Sequence, residues 1–180
     1  AFAEAIVLCR TRLDEQNPDL LALIGQCYYA LAQYNVKETG ENYDQAIEWT
    51  AKASAIRPEE PSFHAKLGEY YWLGKLDYER AGHEFRLALS LAPDQAQTLS
   101  LAAALYGAPE ADVTWEEATE WLSRATRLNP DDPTIHARLA ILYSARHRIH
   151  EARSEWIKAL VCPRPLEEGY AQSLANVKWT

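Results

Sequence analysis

Residues 61–93 read PSFHAKLGEYYWLGKLDYERAGHEFRLALSLAP, and the fold follows from how this stretch repeats. Gly68 is followed three positions on by Tyr71, then by Ala81, and twelve positions after that by Pro93. The same frame returns as Gly25, Tyr28, Ala46 and Pro58, and again as Ala103, Tyr106, Ala118 and Pro130. It returns once more as Ala140, Tyr143 and Ala152, with Pro163 and Pro165 straddling Arg164 at the expected proline. A chain that repeats itself in this way stacks one supersecondary unit on the next, which makes a long surface rather than an enclosed pocket.

Each unit reads as two helices. In 19–33 the apolar residues Leu20, Leu21, Leu23, Ile24, Cys27, Tyr28 and Leu31 fall at three-and-four spacing on one broad face. The segment 43–56 repeats the pattern and is stopped by Arg57-Pro58, because proline disfavours helical geometry in the residue before it. The same pairing predicts helices over 61–74 and 77–91, over 95–106 and 114–128, and over 132–145 and 149–161. The small markers allow two backbones to approach, and enlarging one should cost about 1 to 3 kcal/mol through overpacking. Tyr43, Tyr78 and Trp115, three residues before each Ala, are expected in the core.

The pattern resembles the tetratricopeptide repeat, a helix-turn-helix unit with small residues, Tyr, Ala, an aromatic and Pro at fixed places. The resemblance implies an all-α, right-handed superhelix of antiparallel helix pairs. Its boundaries would be a half repeat over 1–17, full repeats over 18–58, 59–93, 94–130 and 131–164, and a half repeat or capping helix over 165–180. Phe85 with Ala88 and Trp156 with Ala159 match the family's later aromatic and Ala positions. His64 and His136, four residues before the small marker where the family often has Trp, read as packing residues. Departures lie in the turns. Tyr to Ala spans nine residues in the fourth unit but ten in the second, twelve in the third and eighteen in the first, where an inserted loop is expected within 34–42. The first unit, with this long loop and Tyr43-Asp-Gln-Ala-Ile-Glu-Trp49, also resembles a Sel1-type repeat.

Both families imply a non-catalytic adaptor that binds a protein or peptide. In the tetratricopeptide arrangement the first helix of each pair lines a concave groove. By register, that places Gln26, Tyr29, Ser62, Glu69, Trp72, Gln97, Ser100 and Ile141 inward, with Lys66 and Arg138 beside them. Tyr29 and Trp72 are the natural anchors for an extended segment or helix. Chaperone-binding members grip a terminal carboxylate with Lys, Asn and Arg; here those inner positions read Ala22, Gln26, Ala65, Glu69, Ser100 and Ala104, so that clamp is not expected.

The formal net charge is −8, and it is unevenly spread. Residues 1–120 hold nine Lys/Arg against twenty Asp/Glu, and residues 121–180 hold nine against six. An acidic body argues against nucleic acid and for a neutral or basic protein partner, or for end-to-end self-association through the open ends of the stack. The longest uncharged stretch, 20–36, contains Gln26, Gln33, Asn35 and three tyrosines and is no membrane span. Cys9, Cys27 and Cys162 form no Cys-x-x-Cys pair, which suggests a reducing, cytoplasmic setting. His147 and His150 could share a helical turn within the basic run Arg146-His147-Arg148, but two His without further ligands make a poor metal site. No phosphate loop, nucleophile elbow or zinc-protease motif occurs, so neither a cofactor nor catalysis is expected from these residues, unless they form the regulatory arm of a larger enzyme.

Overall fold

The computed structural model describes residues 2–11, 16–34, 39–108, 110–165 and 168–175. Ten α-helices are described: α1 (Phe2–Thr11), α2 (Pro18–Tyr34), α3 (Thr39–Ile56), α4 (Pro61–Tyr70), α5 (Tyr78–Leu91), α6 (Ala96–Ala103), α7 (Trp115–Leu128), α8 (Pro133–Ala145), α9 (Ile149–Val161) and α10 (Glu168–Ala175). No strand occurs among the described residues. The fold is an all-α tetratricopeptide-type solenoid of paired helices. It divides into two compact units, residues 1–93 with 108–112, and residues 94–107 with 113–180.

The first unit pairs α2 with α3 and α4 with α5. Its markers are small because there is no room for more. A Cβ on Gly25 would lie 2.3 Å from Thr50 Oγ1 and 3.0 Å from the Ala46 carbonyl, and one on Gly68 would lie 2.8 Å from the Phe85 ring. Leu21, Ala22, Ile24, Trp49, Ala53 and Phe63 form one buried cluster. After α4 the helix widens into a π turn over Tyr71–Lys75, closed by Leu76 in the left-handed region at φ 53°. Lys75 pairs with Asp44 at 2.5 Å, and Gly74 lies against the Tyr43 ring, which holds this turn onto α3. Residues 108–112 belong to this unit, where Arg86 donates to the carbonyls of Ala111 and Asp112.

The second unit pairs α6 with α7 and α8 with α9. Ala118, Ala125, Ala137 and Ala140 are fully buried, and Trp156 packs on Ala137, Ala140 and Ala159 with Tyr170 alongside. Helix starts are fixed by side chains that satisfy otherwise unpaired backbone N–H groups. Asp77 caps α5, Asp132 caps α8, and Thr114 with Glu117 forms a reciprocal capping box on α7. Pro61 and Pro133 stand at first helical positions, where a missing N–H costs nothing.

Helix boundaries differ from the sequence expectation in three places. Helix α3 starts at Thr39 rather than at 43, with Asn42 and Tyr43 buried, so half of the expected 34–42 insertion is helix; residues 35–38 lie outside the described residues. The α4 segment does not continue regularly to 74 but widens at Tyr71. Helix α6 ends at Ala103 instead of 106, because Leu105 and Tyr106 bond three residues back and Gly107 takes φ 91°. Tyr43 is in the core as expected, whereas Tyr78 and Trp115 are only half-buried.

Candidate functional site

The candidate residues fall into two sets, one in each unit. In the first unit, α2 carries Gln26 and Tyr29, α4 carries Ser62, Lys66 and Glu69, and the π turn carries Trp72. Ser62, Lys66 and Glu69 follow the i, i+4, i+7 spacing of one helical stripe, and all three are half-buried. The Tyr29 hydroxyl donates to Glu69 Oε1 at 3.0 Å, which ties α2 to α4. The Tyr29 ring stacks on Tyr70 at 4.7 Å and meets Tyr43 edge-on at 5.9 Å, both favourable arrangements of aromatic quadrupoles. Gln33 donates through Nε2 to the Tyr43 hydroxyl at 2.8 Å.

This cluster has a defined electrostatic state. Burial first, and then the nearby Glu69 carboxylate, push the Tyr29, Tyr43 and Tyr70 hydroxyls above the ordinary tyrosine range. The Tyr29 phenol therefore stays protonated and remains a donor to Glu69. Next to it, Leu23, Gln26, Cys27, Tyr29, Ala30, Gln33 and Tyr34 line a shallow depression of about 750 Å³. Tyr34 is 79% exposed at its edge. Trp72 is half-buried, neither fully sunk in the core nor free in solvent.

The second unit treats its candidates differently. Gln97 and Ile141 are exposed. Ser100 is buried at 4% exposure and is not presented to a partner. Arg138 covers it, donating through Nη1 to the Ser100 carbonyl at 2.8 Å and to its hydroxyl at 2.9 Å. Arg138 Nε also donates to the Tyr170 hydroxyl at 2.6 Å, so this guanidinium joins α6, α8 and α10. Sequence register placed Arg138 beside a groove as a partner contact; the structure gives it internal partners.

Sequence reasoning missed the polar role of the two histidines. His64 Nδ1 lies 2.8 Å from Glu84 Oε2 and its Nε2 lies 2.8 Å from the Pro58 carbonyl. His136 repeats this with Glu155 at 2.7 Å and the Pro130 carbonyl at 3.0 Å. Both are buried, as a packing role requires, but each ring also latches the second helix of its own pair to the turn before the first. The signal was available in the sequence: Pro58 to His64 and Pro130 to His136 have the same spacing, and Glu84 and Glu155 each follow the marker Ala by three. The tyrosine cluster was missed because Tyr70, one position out of the repeat register, is the residue that stacks.

Among the described residues, no group of three His, Cys, Asp or Glu could hold a metal ion, and no helix is long and apolar enough to cross a membrane.

No family model matches the chain. It is 28% identical over 135 residues to the human protein O-mannosyl-transferase TMTC1, a match that covers 72% of this chain and 14% of that protein. Among solved structures it is similar to MamA. One crystal structure of MamA superposes with a TM-score of 0.72 at 17% identity, covering 98% of this chain and 92% of that one. Residues 41 to the end of MamA from Desulfovibrio magneticus RS-1 give a TM-score of 0.70 at 20% identity, covering 88% and 84%.

Proposed function

We propose that this chain is a protein-interaction scaffold whose binding face is in the first unit, centred on Tyr29, Glu69 and Trp72. The observation that carries this reading is the fixed Tyr29–Glu69 pair beside an open depression edged by Gln26, Gln33 and Tyr34. A rigid aromatic cluster gives a partner contact area at low entropic cost, and the carboxylate favours a neutral or basic segment. Lys66, Ser62 and Gln26 would supply hydrogen bonds at the rim. The all-helical tetratricopeptide-type fold supports a binding role in general.

A phage-displayed library of basic, neutral and acidic peptides, selected on the folded chain, tests this. Trp72→Ala should weaken the selected peptides at least tenfold. Glu69→Gln, which keeps an acceptor for Tyr29, should weaken the basic ones selectively. Selection of acidic peptides only, or binding indifferent to Trp72→Ala with the circular dichroism unchanged, would remove this face from consideration.

The resemblance to TMTC1 favours a second reading, in which this solenoid is the interaction arm of a larger transferase. The chain spans 14% of that protein's length. Reduced transferase activity in a parent protein carrying Trp72→Ala, with its catalytic residues intact, would support the arm; unchanged activity would argue against it. Self-association through the ends of the stack is the third reading, and a concentration-independent mass by light scattering would exclude it.

A further inference from the structure

The turn between α8 and α9 carries a basic run, Arg146-His147-Arg148, that the proposed binding face does not use. Every residue from Ala145 to His150 is exposed. Beneath the run lies an aromatic floor. Trp115 is held by its indole N–H, which donates to the Leu142 carbonyl at 3.2 Å, and its ring lies 6.4 Å from that of Tyr143. The Arg146 guanidinium carbon sits 5.7 Å from the Trp115 ring centre, and that of Arg148 sits 5.6 Å from Trp115 and 4.8 Å from Tyr143. Two guanidinium groups thus lie over aromatic faces within cation–π range, which steadies them.

The backbone is committed to this display. His147 adopts φ 56°, a left-handed conformation unfavourable for a residue with a Cβ, and hydrogen bonds from Arg146, His147 and Arg148 back to Tyr143 and Ser144 fix it. Arg148 also donates through Nε and Nη2 to Glu151 Oε1 at 3.0 and 2.7 Å. Those bonds hold the Glu151 carboxyl below the usual carboxylate range, so it is charged and neutralises Arg148. Among the described residues, Arg146 has an aromatic floor but no such carboxylate.

We propose that this turn is a docking surface for an acidic segment of a partner protein, with Arg146 taking one carboxylate and Arg148 exchanging Glu151 for another. Arginine's planar fork matches a carboxylate in bidentate fashion, and the aromatic contacts already remove part of the freedom that binding would otherwise have to remove. A long polyanion is disfavoured, because two cations within a single turn meet few phosphates. A short acidic segment needs only two carboxylates. Its chemistry is opposite to that of the first unit's face, so the two surfaces would select different partners.

The probe is a fluorescein-labelled peptide with an Asp-Glu run, followed by anisotropy at low ionic strength. Arg146→Glu should lower its affinity about tenfold or more, as like charges face each other. Arg146→Lys should retain part of the binding. Glu151→Gln should tighten it a few-fold by releasing Arg148, and Trp72→Ala should leave it unchanged. Equal binding by wild type and Arg146→Glu overturns the proposal, as does tighter binding of a single-stranded oligonucleotide than of the peptide. Loss on Trp72→Ala would place the acidic segment on the first unit instead.

Discussion

His64 in the α4–α5 hairpin and His136 in the α8–α9 hairpin stand at matching positions, bonded to matching carboxylates and matching proline carbonyls, yet the residues beside them serve different ends. Beside His64, the α4 stripe leaves Glu69 at the edge of a tyrosine cluster next to open space. Beside His136, the α8 stripe puts Arg138 over Ser100 and under Tyr170. One latch geometry therefore supports a face that can be offered and a face that is closed internally. What the repeat repeats is its scaffold; the polar residues one turn away from it differ, and on α8 they are bonded internally.

The comparison can be broken most severely at the core. Phe85 and Trp156 occupy the same place in their hairpins and are 0% and 1% exposed. Each should lose about 3 to 5 kcal/mol on truncation to Ala, read from urea unfolding, since a cavity of that size collapses only in part. Trp156→Phe separates the two sites further. The Trp156 indole N–H is buried without a partner among the described residues, so Phe sheds an unsatisfied donor along with some volume. Its loss should stay under about 1.5 kcal/mol. A Trp156→Phe variant as unstable as Trp156→Ala would show that the indole is bonded after all.

The latches come next. His64→Ala and His136→Ala should each cost about 1 to 3 kcal/mol, because each removes the imidazole that bridges a carboxylate and a carbonyl. They are not identical. Glu155 keeps Lys158, which donates to its Oε1 at 2.6 Å, so His136→Ala should cost no more than His64→Ala although Glu155 is the more buried acid. In a Lys158→Ala background the order should reverse, and a double-mutant cycle on unfolding free energy reads the coupling. No coupling between His136 and Lys158 would mean that the cation is too exposed to matter.

These latches also mark the limit of what the sequence discloses. Apolar spacing and the small markers identify four helix pairs and most of their ends, because a Cβ at Gly25 or Gly68 has no space and a proline such as Pro58 or Pro93 ends the helix that runs into it. Register also puts Tyr29 and Glu69 on one face, and the structure joins them by a hydrogen bond. Register does not tell an inward side chain from a buried one, and for that reason Ser100 and Arg138 were assigned to a partner although they bond each other. Nor does it show the widening at Tyr71, which closes at Leu76 in a left-handed backbone.

Smaller effects should distinguish the closed face from the open one. Arg138→Ala removes three hydrogen bonds made by a charged donor and should cost about 1.5 to 3 kcal/mol, with faster hydrogen exchange along α10 as its local signature. Glu69→Gln retains an acceptor for Tyr29 and should change stability by no more than about 0.5 kcal/mol. If Glu69→Gln proves the more damaging of the two, Glu69 is structural and the first unit's face is closed as well.

The smallest expected effect compares the two left-handed residues that end the first helix of each hairpin, Leu76 at φ 53° and His147 at φ 56°. Both are exposed, so substitution removes little packing. A Cβ in this conformation costs about 1 to 2 kcal/mol, and the extra freedom of an unfolded glycine returns roughly half of that. Leu76→Gly and His147→Gly should then each raise stability by about 0.5 kcal/mol. Leu76→Gly should gain the more, since His is the better tolerated of the two in this region. A melting temperature that rises for Leu76→Gly but falls for His147→Gly would mean that the His147 side chain itself supports the Arg146–Arg148 turn; the acidic-segment surface would then depend on the imidazole as well as on the two guanidinium groups.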